Sequence, residues 1–179
     1  MSNTRNEQIA TAAKHFLIAA MWADTEEEHP HARPTASAKT NAFEFVREFA
    51  DACGPMWDAV MALENYGSHP DAGSAAAALG HDLWLTSKGH GVGFWDREEL
   101  DGHISLELLH GITLIDRDGV RIAPNEDDLL TYGDALTAVC NGRRFISRFE
   151  CIDVEAWRGW VYLNGLDSVR EARKKAEAA

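Results

Sequence analysis

The chain has 179 residues, of which 45% are hydrophobic and 26% charged, and it carries a formal net charge of −12. That length suits one domain burying about two-thirds of its unfolded surface, and no apolar run approaches the roughly 18 residues of a membrane span. The negative charge argues against direct nucleic-acid or anionic-membrane binding, since both depend on Lys and Arg neutralising phosphates.

Along the chain, Ile9, Ala13, Phe16, Leu17, Ala20 and Met21 recur at helical spacing and predict a helix over 7–22 with one apolar face. The tract Asp24-Thr25-Glu26-Glu27-Glu28-His29-Pro30-His31-Ala32-Arg33-Pro34 combines prolines with a charge run and predicts a loop reaching about Thr40. Its histidines and glutamates read as a solvated surface, because a loop offers a metal no fixed geometry. A second helix is expected from an Asn41 cap, with Phe43, Val46, Phe49, Ala50 and Cys53 on one face. Gly54-Pro55 breaks it, and Met56, Trp57, Val60 and Met61 restart the pattern. A linker follows from Tyr66 to Gly73, and then a short alanine-rich helical turn, Ser74 to Leu79.

From His81 the pattern alternates, and a turn at Lys88-Gly89 predicts a β-hairpin. It pairs Ser87 with His90, Leu85 with Val92, Leu83 with Phe94 and His81 with Asp96. Asp82, Trp84 and Thr86 then lie opposite Gly91, Gly93 and Trp95 on the second face, where glycine lets an indole lie across bare backbone. A helix is expected over Glu98–His110, closed by Gly111. A second hairpin is expected from Ile112–Ile115 and Val120–Ile122 about the Asp116-Arg117-Asp118-Gly119 turn. An acidic helix from Asn125, a strand over 144–154, an ambiguous 156–163 and a charged helix over 168–179 complete the reading.

Cys53, Cys140 and Cys151 are odd in number and without a Cys-x-x-Cys pair, so they read as small buried hydrophobes rather than disulfides or metal ligands. No metal and no cofactor are expected, and the polar first residues, without a secretory signal's order, predict a cytoplasmic protein. Charge is uneven. Residues 98–134 hold ten Asp/Glu against two Arg, a net of −8, whereas 135–179 hold eight Lys/Arg against six Asp/Glu, a net of +2.

His81 and Asp96, as cross-strand partners, form the weak candidate for acid–base chemistry, although a structural hydrogen bond at the hairpin base explains them as well. His90, about six residues along the strand and thus roughly 20 Å away, cannot join them. Gly89-x-Gly91-x-Gly93 lacks the following helix that a phosphate loop requires. The better candidate is a binding surface made by Trp84 and Trp95 with Asp82, continued by the acidic Glu98, Glu99 and Asp101.

The order Trp22-Ala23-Asp24-Thr25-Glu26, then Gly80-His81-Asp82-Leu83-Trp84-Leu85-Thr86, Gly89-His90-Gly91 and Gly93-Phe94-Trp95-Asp96-Arg97, then Asp118-Gly119, resembles a family of small acidic proteins encoded by tailed bacteriophages and some mobile elements, without an established function. The resemblance covers roughly residues 8–123 and implies origin and core fold, with no reaction attached. Together these readings predict an α+β fold: two antiparallel hairpins separated by a helix, packed on N-terminal helices. They place it in a single domain, 1–179, with a core over 1–123 and a helical and strand extension over 124–179. The expected function is non-catalytic binding of a host or phage protein with a basic surface, with acidic residues mimicking the charge of DNA or opposing a host defence. A small hydrolase using His81 and Asp96, and a structural part of the virion, are the competing readings.

Overall fold

Thr4 and Glu7 close the N-terminal end of the first helix reciprocally: Thr4 N donates to Glu7 Oε2 (2.8 Å) and Glu7 N to Thr4 Oγ1 (3.4 Å). In the computed structural model, which describes residues 4–24, 33–68, 73–127, 129–146, 154–157 and 159–163, this helix is α1, Arg5–Asp24. Its apolar face buries Ile9, Ala12, Ala13, Phe16, Leu17, Ala19 and Ala20. The loop expected to reach Thr40 ends earlier: β1 is Arg33–Pro34, and α2, Ala36–Cys53, starts from a Thr35 cap whose Oγ1 accepts from Ala38 N, so Asn41 lies inside the helix. The Gly54-Pro55 break is present. Gly54 sits at φ 53°, and Pro55 occupies the first turn of α3, Pro55–Met61.

The largest departure from expectation follows. Residues 75–88 form a helix, α4, Ala75–Lys88, capped by Ser74 Oγ on Ala77 N and closed by Gly89 at φ 70°. The Lys88-Gly89 pair is therefore a helix terminus rather than a hairpin turn, with Gly89 N–H returning to Leu85 O and Thr86 O. The physical reason for the departure is burial. Nine of the fourteen α4 residues are buried, Leu83, Trp84 and Leu85 consecutively, and a helix enclosed on most sides loses the one-face periodicity by which helices are recognised. α4 lies against α1 in the most extensive contact between helices. Gly80 makes it possible: a Cβ there would lie 2.0 Å from Ala12 O, so the two backbones meet without an intervening side chain.

After Gly89 the chain makes two 3-10 turns, Phe94–Asp96 and Glu98–Leu100, then the short α5, Leu106–Leu109, capped by Ser105. The continuous helix expected over 98–110 is thus broken. The second expected hairpin is also absent. Its turn forms, with Asp116 Oδ1 accepting from Asp118 N and Val120 N, but the flanks make only one bridge, Ile115 with Arg121. Ile115 N instead donates to Ala138 O, tying this segment to the next helix. That helix, α6, is Tyr132–Ile146 rather than a helix from Asn125, and it runs through residues 144–146, where a strand was expected. Thr131 Oγ1 accepts from Asp134 N and donates to Asp134 Oδ2, capping it.

The described residues are therefore mostly helical, and the α+β reading with two hairpins is overturned. β2, Val154–Trp157, and β3, Trp160–Leu163, pair antiparallel, so the ambiguous 156–163 region contributes to two strands, and β3 also pairs parallel with β1, giving the order β1-β3-β2. The helix expected over 168–179 and the His29-Pro30-His31 tract lie outside the described residues. The core holds Phe16, Phe49, Met56, Trp57, Leu83, Trp84 and Phe94, and Ala135, Leu136, Val139 and Cys140 of α6 belong to the same cluster. Phe16 meets Trp84 edge-on at 5.0 Å, and Phe49 stacks on Phe94 at 6.0 Å.

Candidate functional site

Asp82 and Thr86 are four residues apart on α4, hence on one helical face, and both are buried. That face holds down the segment that follows the helix. Asp82, 2% exposed, receives Arg97 Nε on Oδ2 at 2.9 Å and Arg97 Nη2 on Oδ1, a two-point guanidinium–carboxylate pair. Tyr66 Oη donates to the same Oδ2 at 3.0 Å, and His81 Nδ1 lies 3.4 Å from Oδ1. One turn on, Thr86 Oγ1 accepts from Phe94 N at 3.1 Å. Burial, reinforced by the neighbouring carboxylate, pushes the Tyr66 hydroxyl well above its ordinary 10.0. The hydrogen bond to Asp82 raises Arg97, which stays a cation.

The residues expected to form a binding surface are distributed differently. Trp84 is fully buried against Phe16, with Lys88 Nζ 5.2 Å from its ring centre, so it presents no outer face. Trp95 is half-buried on the first 3-10 turn, so the two indoles do not share a surface. Asp82 points inward as a structural anion. His81 and Asp96 are not joined by a hydrogen bond or ion pair: His81 neighbours Asp82 and the Trp22 ring, while Asp96 is exposed. With no ladder to oppose them, the structure gives that pair no shared chemistry.

Glu98, Glu99 and Asp101 are exposed, as expected of a surface. Their setting was not foreseen. Ile104 N donates to Leu130 O, Tyr132 N to Gly102 O, and His103 bridges Thr131, so the segment that follows these carboxylates is tied to residues 130–132 at the start of α6. Within Asp96-Arg97-Glu98-Glu99-Leu100-Asp101 the one cation is turned onto buried Asp82.

A second feature is a cleft of about 750 Å³ lined by Thr86, Gly89, His90, Gly91, Trp95, Arg117, Thr137 and Asn141. The Arg117 guanidinium lies 5.8 Å from the Trp95 ring centre. An adjoining groove of about 390 Å³ shares His90 and Gly91 and reaches Trp22, which is 76% exposed. Trp22 was legible as an outlier, since it falls off the face set by Ile9, Phe16 and Ala20. Tyr66 and Arg97 as partners of Asp82 had no local signal. Among the described residues no group of three His, Cys, Asp or Glu side chains is placed to hold a metal ion. No helix among them is long and apolar enough to cross a membrane.

No protein-family model matches the chain, and no curated protein and no solved structure matches it either.

Proposed function

We propose that the protein is a non-catalytic accessory factor, of the kind encoded by tailed phages and mobile elements, that binds a basic protein surface through the acidic face built from Asp96, Glu98, Glu99 and Asp101. One observation carries this reading: Arg97, the single cation of the 96–101 stretch, turns its guanidinium onto buried Asp82, while the four carboxylates Asp96, Glu98, Glu99 and Asp101 are exposed around it. Like charges side by side raise the local potential and are relieved by a cationic partner. A protein that itself binds DNA suits this face, because carboxylates then take the place of phosphates.

The test is capture of bacterial host proteins at low salt by the wild-type chain and by the triple variant Glu98→Gln/Glu99→Gln/Asp101→Asn. A specific basic partner should be retained by the wild type, lost by the variant, and released as ionic strength rises above about 0.15 M, where the screening length falls to about 8 Å. Recovery of no specific partner at low salt, or equal retention by the variant, overturns the proposal.

A further inference from the structure

We infer that the cleft between the 89–95 loop, α6 and the 116–119 turn binds a planar heteroaromatic anion, of the nucleoside monophosphate class. Its volume of about 750 Å³ falls within the roughly 300–1,000 Å³ of small-molecule sites. In a chain of net charge −12, the described lining residues include no carboxylate, while Arg117 and His90 supply cationic or donor groups. An anion repelled by the rest of the surface is accepted here.

Each wall has a distinct chemistry. Trp95 offers a half-buried indole, and the Arg117 guanidinium lies over it at 5.8 Å. A heteroaromatic ring stacking on that indole displaces the guanidinium, which then turns to the ligand's anionic group. Arg117 sits exposed on the Asp116–Gly119 turn and has the side-chain freedom to do this. Opposite, Thr137 and Asn141 are one turn apart on α6. Thr137 Oγ1 donates its proton to Gly133 O (2.7 Å) and Asn141 Nδ2 donates to Ile115 O (3.1 Å), which leaves the threonine oxygen and the asparagine Oδ1 as acceptors for the exocyclic amino group of a base. The carbonyl end of α4, which would oppose an anion, is partly closed: Gly89 N–H is bonded to Leu85 O and Thr86 O, and His90 N–H to Leu85 O. A ring, an anion and a donor-bearing edge together describe a nucleobase carrying a phosphate.

Trp95 of the cleft adjoins Asp96 of the acidic face, but none of the face's carboxylates lines the cleft, so the two proposals stand or fall independently. The experiment is calorimetric titration with AMP, adenosine and inorganic phosphate as probes. AMP should bind saturably at one site, at least tenfold more tightly than either fragment. Arg117→Ala, an exposed turn position, should weaken AMP at least tenfold and leave adenosine no weaker, with an unaltered melting temperature showing that the fold is intact. Thr137→Val, which keeps the shape, should weaken AMP and adenosine alike. Glu98→Gln/Glu99→Gln/Asp101→Asn should bind AMP as the wild type does. No saturable binding of AMP at 10 mM-scale probe concentrations (on the order of the weakest useful small-ligand affinities), or AMP binding unchanged by Arg117→Ala, overturns the inference.

Discussion

Replacing Asp82 by alanine removes the acceptor for three hydrogen bonds at once: one from Tyr66 Oη and two from the Arg97 guanidinium. Breaking a buried ion pair by deleting one partner costs about 3–5 kcal/mol, because the other charge stays behind uncompensated. Here the figure is reduced, since the Arg97 side chain is 33% exposed and regains some water. The Tyr66 hydroxyl, buried and left without its acceptor, adds about 1–3 kcal/mol. These contributions overlap, and a net loss of about 3 kcal/mol is expected, which for a domain of this size lowers the melting temperature by about 6–12 °C. Asp82→Asn keeps the shape and one acceptor oxygen and should lose about half as much. Equilibrium urea unfolding, with Tyr66→Phe as the second arm of a double-mutant cycle, measures both the loss and the coupling. A loss below about 0.5 kcal/mol for Asp82→Ala, the range of ordinary surface substitutions, would refute the view that this carboxylate anchors the 94–97 segment.

Gly80→Ala should destabilise by about 2 kcal/mol or more despite a gain of about 1 kcal/mol in helix propensity, because its Cβ would press on Ala12 O from 2.0 Å; were Gly80 in a solvent-facing strand, thermal unfolding would show almost no change. Trp84→Ala should cost about 3–5 kcal/mol as a core truncation, with Trp95→Ala costing less than half of that in the same denaturation series. Stability should be lost at alkaline pH. Burial raises Cys53 well above its ordinary 9.0 and Tyr66 well above 10.0, so the native chain keeps protons that the unfolded chain releases. The free energy of unfolding should then hold steady up to about pH 8 and fall through pH 9 and above, and Cys53→Ala should remove the earlier part of that fall.

The acidic strip and the Asp116–Gly119 turn were legible because each depends on residues adjacent in the chain. So was the Gly54-Pro55 break, where a glycine at positive φ precedes a proline suited to a helix start. The buried faces of α1 and α2 were legible because one side of each meets the core, and burial on one side writes a period of 3.6 into the sequence. Thr4 with Glu7, and Thr131 with Asp134, cap helices whose starts the sequence reading set instead at 7 and at Asn125.

Tertiary structure decided the rest. α4 is enclosed by α1 and its other neighbours, so Leu83, Trp84, Leu85 and Thr86 are buried in succession, and the sequence imitates an alternating strand that the fold does not contain. Trp84 consequently went from surface anchor to core, and the His81–Asp96 pairing disappeared with the hairpin that would have made it. Asp82 has its partners 16 residues before and 15 residues after it, and the cleft joins three segments across Trp95, Arg117 and Asn141. Periodicity reports how much of each element is buried, whereas such pairings depend on which elements meet. What the residues alone determined was the helical faces, the turns and a strongly acidic surface; the packing of α1 on α4 determined which aromatic and charged groups that surface would show.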